Sequence, residues 1–465
     1  MSSVPFAPAL QLILFYSKTV IVTKQQHTMK QLLTSGFLLT GLLVFGQSQT
    51  ISIDRKEKGQ VIDSISALLA NYYIFPEKTP PAISLLKANF KKGAYDKYTD
   101  PHTFADKLTE DVVSVIHDRH FHVYFDPEAI AEERKAVSQK DSAPLIQNEI
   151  ARGAAHNFGF KEIKILDGNI GYVNIDGFED LQYSVETING AMHVLSNTKA
   201  VIIDLRNNHG GYTNSYQYLA SFFFGQEPVK LYDKFTRNGK DDIHEQVYTL
   251  PYVNGTKRPG VPLYILTSHY SFSAAEALAY HLQSLKRAVI IGEVTGGGAN
   301  FWEGKTATDR FYVHMPDARI TDPGTKTNWE AVGVKPDMEV PSQNALTTAH
   351  ISALEKLSVT DAANATLYQW HIEAQKSKFD AVPVDAATLS SYTGRYGNNS
   401  IILNNGKLYL QESGAKWEMI PMTSTLFRME EVNILRIQII TEAGEVKGIK
   451  RVFNTGASRL IEKEK

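Results

Sequence analysis

The sequence predicts an α/β core, preceded by a small helical domain and followed by a small all-β module. Three observations carry that prediction. Apolar runs of strand length alternate with helical stretches between residues 163 and 341. Apolar residues recur at helical spacing before residue 117. Short alternating runs separated by turn residues fill the chain after Pro383. Each pattern matches the period of the element it implies.

The helical reading rests on Val61, Ile65, Leu68, Leu69 and Tyr72, ended by Pro76, Pro80 and Pro81, and then on Phe104, Leu108, Val112 and Val115. Residues 128–160 are mixed and charged, as expected of a helix and connector. In the core, Gly171–Ile175 alternates like a strand, whereas Val201–Leu205, Pro262–Thr267 and Ala288–Gly292 are mostly apolar runs. Such runs suit strands buried on both faces of a parallel sheet. Helices are expected near 214–225 and 273–285. A helical stretch over 342–382 leads to the β module, where Ser400–Leu410 reads as a hairpin turning at Asn405-Gly406. Glu442-Ala443-Gly444-Glu445 marks a second turn. The implied divisions are a leader (1–48), a helical domain (49–127), a connector (128–162), the α/β core (163–341), a helical linker (342–384) and the β module (385–465).

Composition removes several function classes. The chain of 465 residues is 43% hydrophobic and 21% charged, with a formal net charge of −2. Nothing in that balance points to nucleic acid or an anionic membrane as partner. The chain has no cysteine, which excludes disulfides, thiol catalysis and cysteine metal sites. Met29-Lys30, the apolar run Leu32–Phe45 and the small, polar Gly46-Gln47-Ser48-Gln49 read as a signal peptide starting at Met29. That run is short for a membrane span, although an uncleaved anchor helix is the alternative. Export to the periplasm or beyond the cell is therefore expected, without a stable membrane span.

Four segments could carry chemistry. Ser271-Phe272-Ser273-Ala274-Ala275-Glu276 lies where a buried strand gives way to a helix. A serine there sits near free N–H groups and the helix dipole, which favour developing negative charge. The same residues also make a capping box, Ser273-x-x-Glu276. Asp204-Leu205-Arg206-Asn207-Asn208-His209-Gly210-Gly211 closes a strand, and its glycines permit close backbone approach or simply a turn. His117-Asp118-Arg119-His120-Phe121-His122 holds three histidines in six residues, suited to a general base. His-x-His could also suggest metal, yet no third-ligand motif accompanies it. Glu330, in Trp329-Glu330-Ala331-Val332-Gly333-Val334-Lys335-Pro336-Asp337, could orient a histidine or be a surface charge.

Together and in this order, the four segments resemble the serine peptidases that include C-terminal processing (tail-specific) proteases, the tricorn protease core and the interphotoreceptor retinoid-binding protein. The resemblance spans roughly residues 60–340. It rests on Asp-Leu-Arg-x-Asn-x-Gly-Gly (204–211), Ser-x-Ser-Ala-Ala-Glu (271–276), Gly292-Glu293-Val294-Thr295-Gly296-Gly297 and Gly333-Val334-Lys335-Pro336-Asp337. It implies a crotonase-like core of repeated β-β-α units, and it likens the region 60–117 to the helical domain of the retinoid-binding branch. It implies Ser273 as nucleophile, Ser271 as a non-catalytic neighbour, and the N–H groups of Gly210 and Ala274 as the oxyanion hole, with Gly211 as a substitute. The tail-specific lysine position is occupied by Gly298, and Lys305 is the nearest lysine. The tricorn-like branch uses serine, histidine and glutamate instead. This matches Ser273, His120 as base in Asp-x-His, and Glu330 as orienter, through water or another side chain; His122 is the reserve base. The stretch between His122 and Ile163 is too short for a peptide-binding PDZ domain.

The expected activity is hydrolysis of peptides or unfolded proteins through an acyl-enzyme on Ser273, with no metal or organic cofactor. Two alternatives stay open: a carrier of apolar ligands on the same fold, for which 22 Phe, 22 Tyr and 4 Trp could line a pocket, and a small-substrate esterase or amidase.

Overall fold

Strands Ala200–Asp204 and Leu263–Thr267 are buried at every position. They lie at the centre of a six-stranded sheet whose order is Met338–Glu339, Val289–Gly292, Leu263–Thr267, Ala200–Asp204, Ile170–Ile175 and Phe160–Leu166. Only Phe160–Leu166 runs antiparallel to its neighbour. This computed structural model describes residues 51–464 except 140–142, 240, 380 and 381. The leader expected over 1–48 lies outside the described residues.

The burial of the central strands follows from the side-chain period of two. Val201, Ile203, Leu263 and Ile265 face a core shared with helices Leu181–Val194, Thr213–Ser221 and Ala274–Ser284. Ala200, Ile202, Tyr264 and Leu266 face helices Ser342–Thr360 and Ala365–Lys376 on the other side. Asp204 is the polar exception, and its charge is fully partnered. Arg206 donates to both of its oxygens (2.9 and 2.6 Å) and the Tyr172 hydroxyl donates to Oδ2 (2.8 Å). A buried carboxylate is tolerated only with such partners.

A second sheet escaped the sequence reading. It orders His122–Phe125, Phe311–Thr321, Lys230–Thr236 and Ile243–Tyr248, with Phe301–Thr306 also paired to Phe311–Thr321, all antiparallel. Its strands come from distant parts of the chain, and Ile243–Tyr248 is largely exposed and polar. No continuous apolar run announces it. This sheet completes the core of the helical segment: Phe311, Val313 and Met315 pack with Val61, Ile65, Leu69, Phe104, Leu108 and Val112.

The helices of that segment span Arg55–Tyr72, Thr79–Lys91 and Pro101–Ile116. Asp54 and Asp100 cap the first and third through the N–H groups of Glu57 and Thr103. Pro80 and Pro81, expected to break a helix, instead open the second one, where a missing N–H costs no internal bond. His117 ends the third helix in a left-handed conformation (φ 56°). The turn releases Asp118-Arg119-His120 from the helix immediately before strand His122–Phe125. Two helices, Pro127–Gln139 and Ala143–Ala155, then lead into the six-stranded sheet.

The C-terminal module is an eight-stranded antiparallel meander from Gly394–Tyr396 to Ser458–Glu462. It has its own core, which includes Tyr396, Leu410, Phe427, Ile437 and Ile449. The expected hairpin is present, with Asn405 (φ 46°) and Gly406 (φ 75°) at its turn. Ala443 and Gly444 make the second turn in the same left-handed region. Glu464 N–H donates to the Arg395 carbonyl (2.9 Å), so the meander's two ends meet.

Arg237 links the second sheet to the first helix by donating to the carbonyls of Tyr73 and Ala70, both at 2.7 Å. Its charge caps carbonyls left free at a helix C-terminus. Arg237→Ala is expected to destabilise the protein by about 1–3 kcal/mol, read from urea unfolding.

Candidate active site

Ser273 stands between strand Leu263–Thr267 and helix Ala274–Ser284 with φ 53° and ψ −119°. A non-glycine residue there is strained by roughly 1–3 kcal/mol. Surrounding bonds hold the strain in place. Ser271 Oγ accepts from Ser268 N–H (3.0 Å) and donates to the Leu205 carbonyl (2.7 Å). Phe272 N–H donates to the Asn208 carbonyl (3.0 Å). Ser271 therefore acts as a brace within the turn.

Glu276, fully buried in the first turn of that helix, binds more widely than a cap requires. Its carboxylate accepts from the N–H groups of Ser273 (2.9 Å), Gly297 (2.7 Å) and Gly298 (2.8 Å), and from the Thr295 hydroxyl. Burial pushes its pKa upward, while Thr295 and the three N–H groups pull against that shift. The capping-box half from Glu276 to the Ser273 backbone is thus part of a larger clamp.

The loop after strand Ala200–Asp204 lies directly against Ser273. A Cβ on Gly210 (φ 100°) would come within 2.6 Å of Ser273 Cβ, so only glycine fits. The Gly210 N–H, however, donates to Asn208 Oδ1 (2.8 Å). That bond lies inside its own loop. The N–H groups of Gly211 and Ala274 have no hydrogen-bond partner among the described residues. Gly211 also requires glycine, since its Cβ would fall 2.0 Å from the Phe178 carbonyl oxygen.

His120 is buried at 6% exposure, with both ring nitrogens unpartnered. Its ring packs 4.8 Å from that of Phe272. Burial, then the neighbouring Arg119 charge, lowers its pKa to about 4, leaving the ring neutral at neutral pH. His120 and Ser273 line one cavity of about 630 Å³, together with His209, Gly211, Ala274, Asn300 and Trp329. No hydrogen bond joins Ser273 to His120 among the described residues. Such bonds are often formed only with substrate present.

The other expected site residues lie elsewhere. His122 is on strand His122–Phe125, beside Tyr124 and opposite His314. Lys305 is paired with Glu303 and Asp317 and lies 4.7 Å over the Tyr72 ring. Neither lines the cavity. Glu330 is half-buried, and its Oε2 accepts from the N–H groups of Ala299 (2.6 Å) and Asn300 (3.1 Å). Its Oε1 has no partner. Burial, then the charge of Asp118, raises its pKa to about 7.

Sequence reasoning passed over Asp118, Asn300, Glu276 and His209 as site residues. Asp118 stood within the Asp-x-His pattern and Glu276 within the capping box, so both carried a local signal. Asn300 and His209 carried none beyond proximity to glycine-rich loops.

Residues 169–340 match the family described as peptidase family S41. Residues 44–156 match the N-terminal domain of peptidase S41 in eukaryotic IRBP. The chain belongs to peptidase family S41. Among curated S41-type relatives, the chloroplastic carboxyl-terminal-processing peptidase 2 of Arabidopsis thaliana is 28% identical over 177 residues, which cover 37% of this chain and 32% of that protein. Carboxyl-terminal-processing peptidase 3 of the same plant is 26% identical, covering 36% and 31%. The match thus spans about a third of the length of each relative. Among solved structures, the photosystem II D1 C-terminal processing protease is 16% identical with a TM-score of 0.39, covering 62% of this chain and 94% of that one.

The raised pKa of Glu330 has a sign that can be tested. Its contribution to stability is complete below the ordinary value of 4.5 and is lost as pH rises through about 7. Glu330→Gln is expected to remove that loss. Thermal midpoints of wild type and variant should diverge between pH 5 and 8, with the variant gaining at the alkaline end.

Proposed function

We propose that this chain is an exported serine peptidase that hydrolyses peptides or unfolded proteins through an acyl-enzyme on Ser273. The observation that carries the reading is the arrangement around one cavity: a strained serine at a strand-to-helix junction, two free N–H groups beside it, and a neutral buried histidine. The crotonase-like description of the core as repeated β-β-α units belongs to the same proposal.

In the proposed reaction His120 takes the Ser273 hydroxyl proton as Oγ attacks the scissile carbonyl. The carbonyl oxygen becomes an oxyanion held by the N–H groups of Ala274 and Gly211. The protonated histidine then delivers its proton to the leaving amine, and water activated by the same ring releases the acyl group. Lys305 takes no part, being held by two carboxylates. The chemistry calls for no metal or organic cofactor, and the partner is a polypeptide rather than nucleic acid. Export rests on the Met29 leader. Among the described residues no helix is long and apolar enough to cross a membrane.

A carrier of apolar ligands would need neither strain at Ser273 nor a base in the same cavity. Treating the purified protein with a fluorophosphonate and mapping the modified residue separates the two readings. Modification at Ser273 is expected, and an unlabelled, folded protein would turn the reading toward the carrier. Ser273→Ala is expected to abolish casein hydrolysis. His120→Ala should lower it by about 100-fold or more, and Lys305→Ala should leave it within about twofold. Loss with Lys305→Ala but not His120→Ala would restore a lysine mechanism.

A further inference from the structure

The carboxylate nearest the His120 ring nitrogens is Asp118. Its Oδ1 lies 3.8 Å from His120 Nδ1 and accepts the backbone N–H of the same histidine at 3.0 Å. Its Oδ2 accepts from Asn300 Nδ2 (2.8 Å) and from the Tyr73 hydroxyl (3.4 Å). Asp118 is 1% exposed, so these contacts replace its solvent entirely. Glu330, the residue that the family resemblance casts as orienter, uses its bonded oxygen on two backbone N–H groups, with no hydrogen bond to His120.

We infer that Asp118 is the positioning residue for His120, and that Glu330 holds the adjoining Ala299-Asn300 backbone. The inference rests on the peptidase reading and deepens it. A base must present an unprotonated Nε2 to the serine, which requires the ring proton on Nδ1. A carboxylate beside Nδ1 fixes that tautomer and stabilises the imidazolium formed on proton transfer, without itself becoming protonated. The 3.8 Å between Asp118 Oδ1 and His120 Nδ1 is longer than a hydrogen bond, and catalytic bonds of this kind often tighten only when substrate is bound. The backbone bond to His120 anchors both residues in one turn between helix Pro101–Ile116 and strand His122–Phe125.

Asn300 joins the two carboxylates. Its side chain donates to Asp118 and its backbone N–H donates to Glu330 Oε2. The groups that face Asp118 are Tyr73 from the end of the first helix, His120 from its own turn, Asn300 and Glu330 from the core, and the more distant Lys78 charge. Burial raises the Asp118 pKa, while Asn300, the His120 N–H, Tyr73 and Lys78 draw it back toward the ionised form. Glu330 and Asp118 disfavour each other's charge, so a proton on Glu330 leaves Asp118 free to serve the histidine.

The test compares Asp118→Asn with Glu330→Gln in the full-length protein. Turnover of a fluorogenic peptide, fluorophosphonate labelling rate and ¹⁵N NMR of the His120 ring are the three readouts. Asp118→Asn is expected to lower kcat and the labelling rate by about 100-fold or more, with KM within about threefold. Glu330→Gln is expected to lose about tenfold or less. The Nδ1–H tautomer should persist in wild type and Glu330→Gln and be lost in Asp118→Asn. A larger kinetic loss in Glu330→Gln, or an unchanged tautomer in Asp118→Asn, would overturn the inference. The ring spectrum decides the point even in a protein without turnover, so failure of the peptidase reading would show separately, as an unlabelled wild type. Should Asp118→Asn not fold, Asn300→Ser removes one donor from Asp118. The acid limb of the kcat profile should then move up by about one pH unit, and an unmoved limb counts against the assignment.

Discussion

The site depends on one buried negative charge. Glu276 sits at zero exposure and collects three backbone N–H groups and a hydroxyl. Taking a carboxylate out of water costs several kcal/mol, a cost that only charge-assisted hydrogen bonds of this number can offset. The compensation ties together segments far apart in sequence, beside a backbone bond from the Gly296 N–H to the Ser271 carbonyl (2.9 Å). Ser273 is held at the head of its helix, and Gly297-Gly298 is drawn in against it. Thr295, which also accepts the Val334 N–H (2.6 Å), links the clamp to the loop that bears Trp329 and Glu330. Trp329 completes the link by donating from its indole to the Gly298 carbonyl (3.0 Å). The strained backbone at Ser273 persists because these contacts over-determine it.

A second constraint is steric. Gly210 and Gly211 are pressed against Ser273 and Phe178, so the loop after the central strand passes Ser273 at backbone distance. Asn208 governs which N–H of that loop is free. Its Oδ1 takes the Gly210 N–H and its Nδ2 donates to the Ile175 carbonyl (3.0 Å), both inside the core. The selection is local and polar, and it leaves Gly211 facing the cavity.

Legibility in the sequence follows interaction range. The parallel strands, the helix after Ser273 and the Asn405-Gly406 hairpin announce themselves through period and turn chemistry, which are local. Ser273 and His120 stand out in the sequence because each sits in a compact motif at an element boundary, and the structure puts both on one cavity. The second sheet was not readable, since its strands are scattered and one is polar and exposed. The bond from the Gly210 N–H to Asn208 Oδ1 was not readable either, because it depends on the fold of the loop. His117, the first of the three clustered histidines, forms the left-handed end of a helix. Pro80 and Pro81 mark an element start, a distinction that depends on the position of the turn and not on residue type.

Strand His122–Phe125 belongs to a different sheet from the one that presents Ser273, and it is fixed by pairing with Phe311–Thr321, far along the chain. His120 and Ser273 share one cavity only because the N-terminal helices, the second sheet and the parallel sheet pack together. On the proposed mechanism, a half-assembled copy would carry its serine without a base. Assembly itself would then serve as a safety catch, keeping incomplete chains inert toward one another.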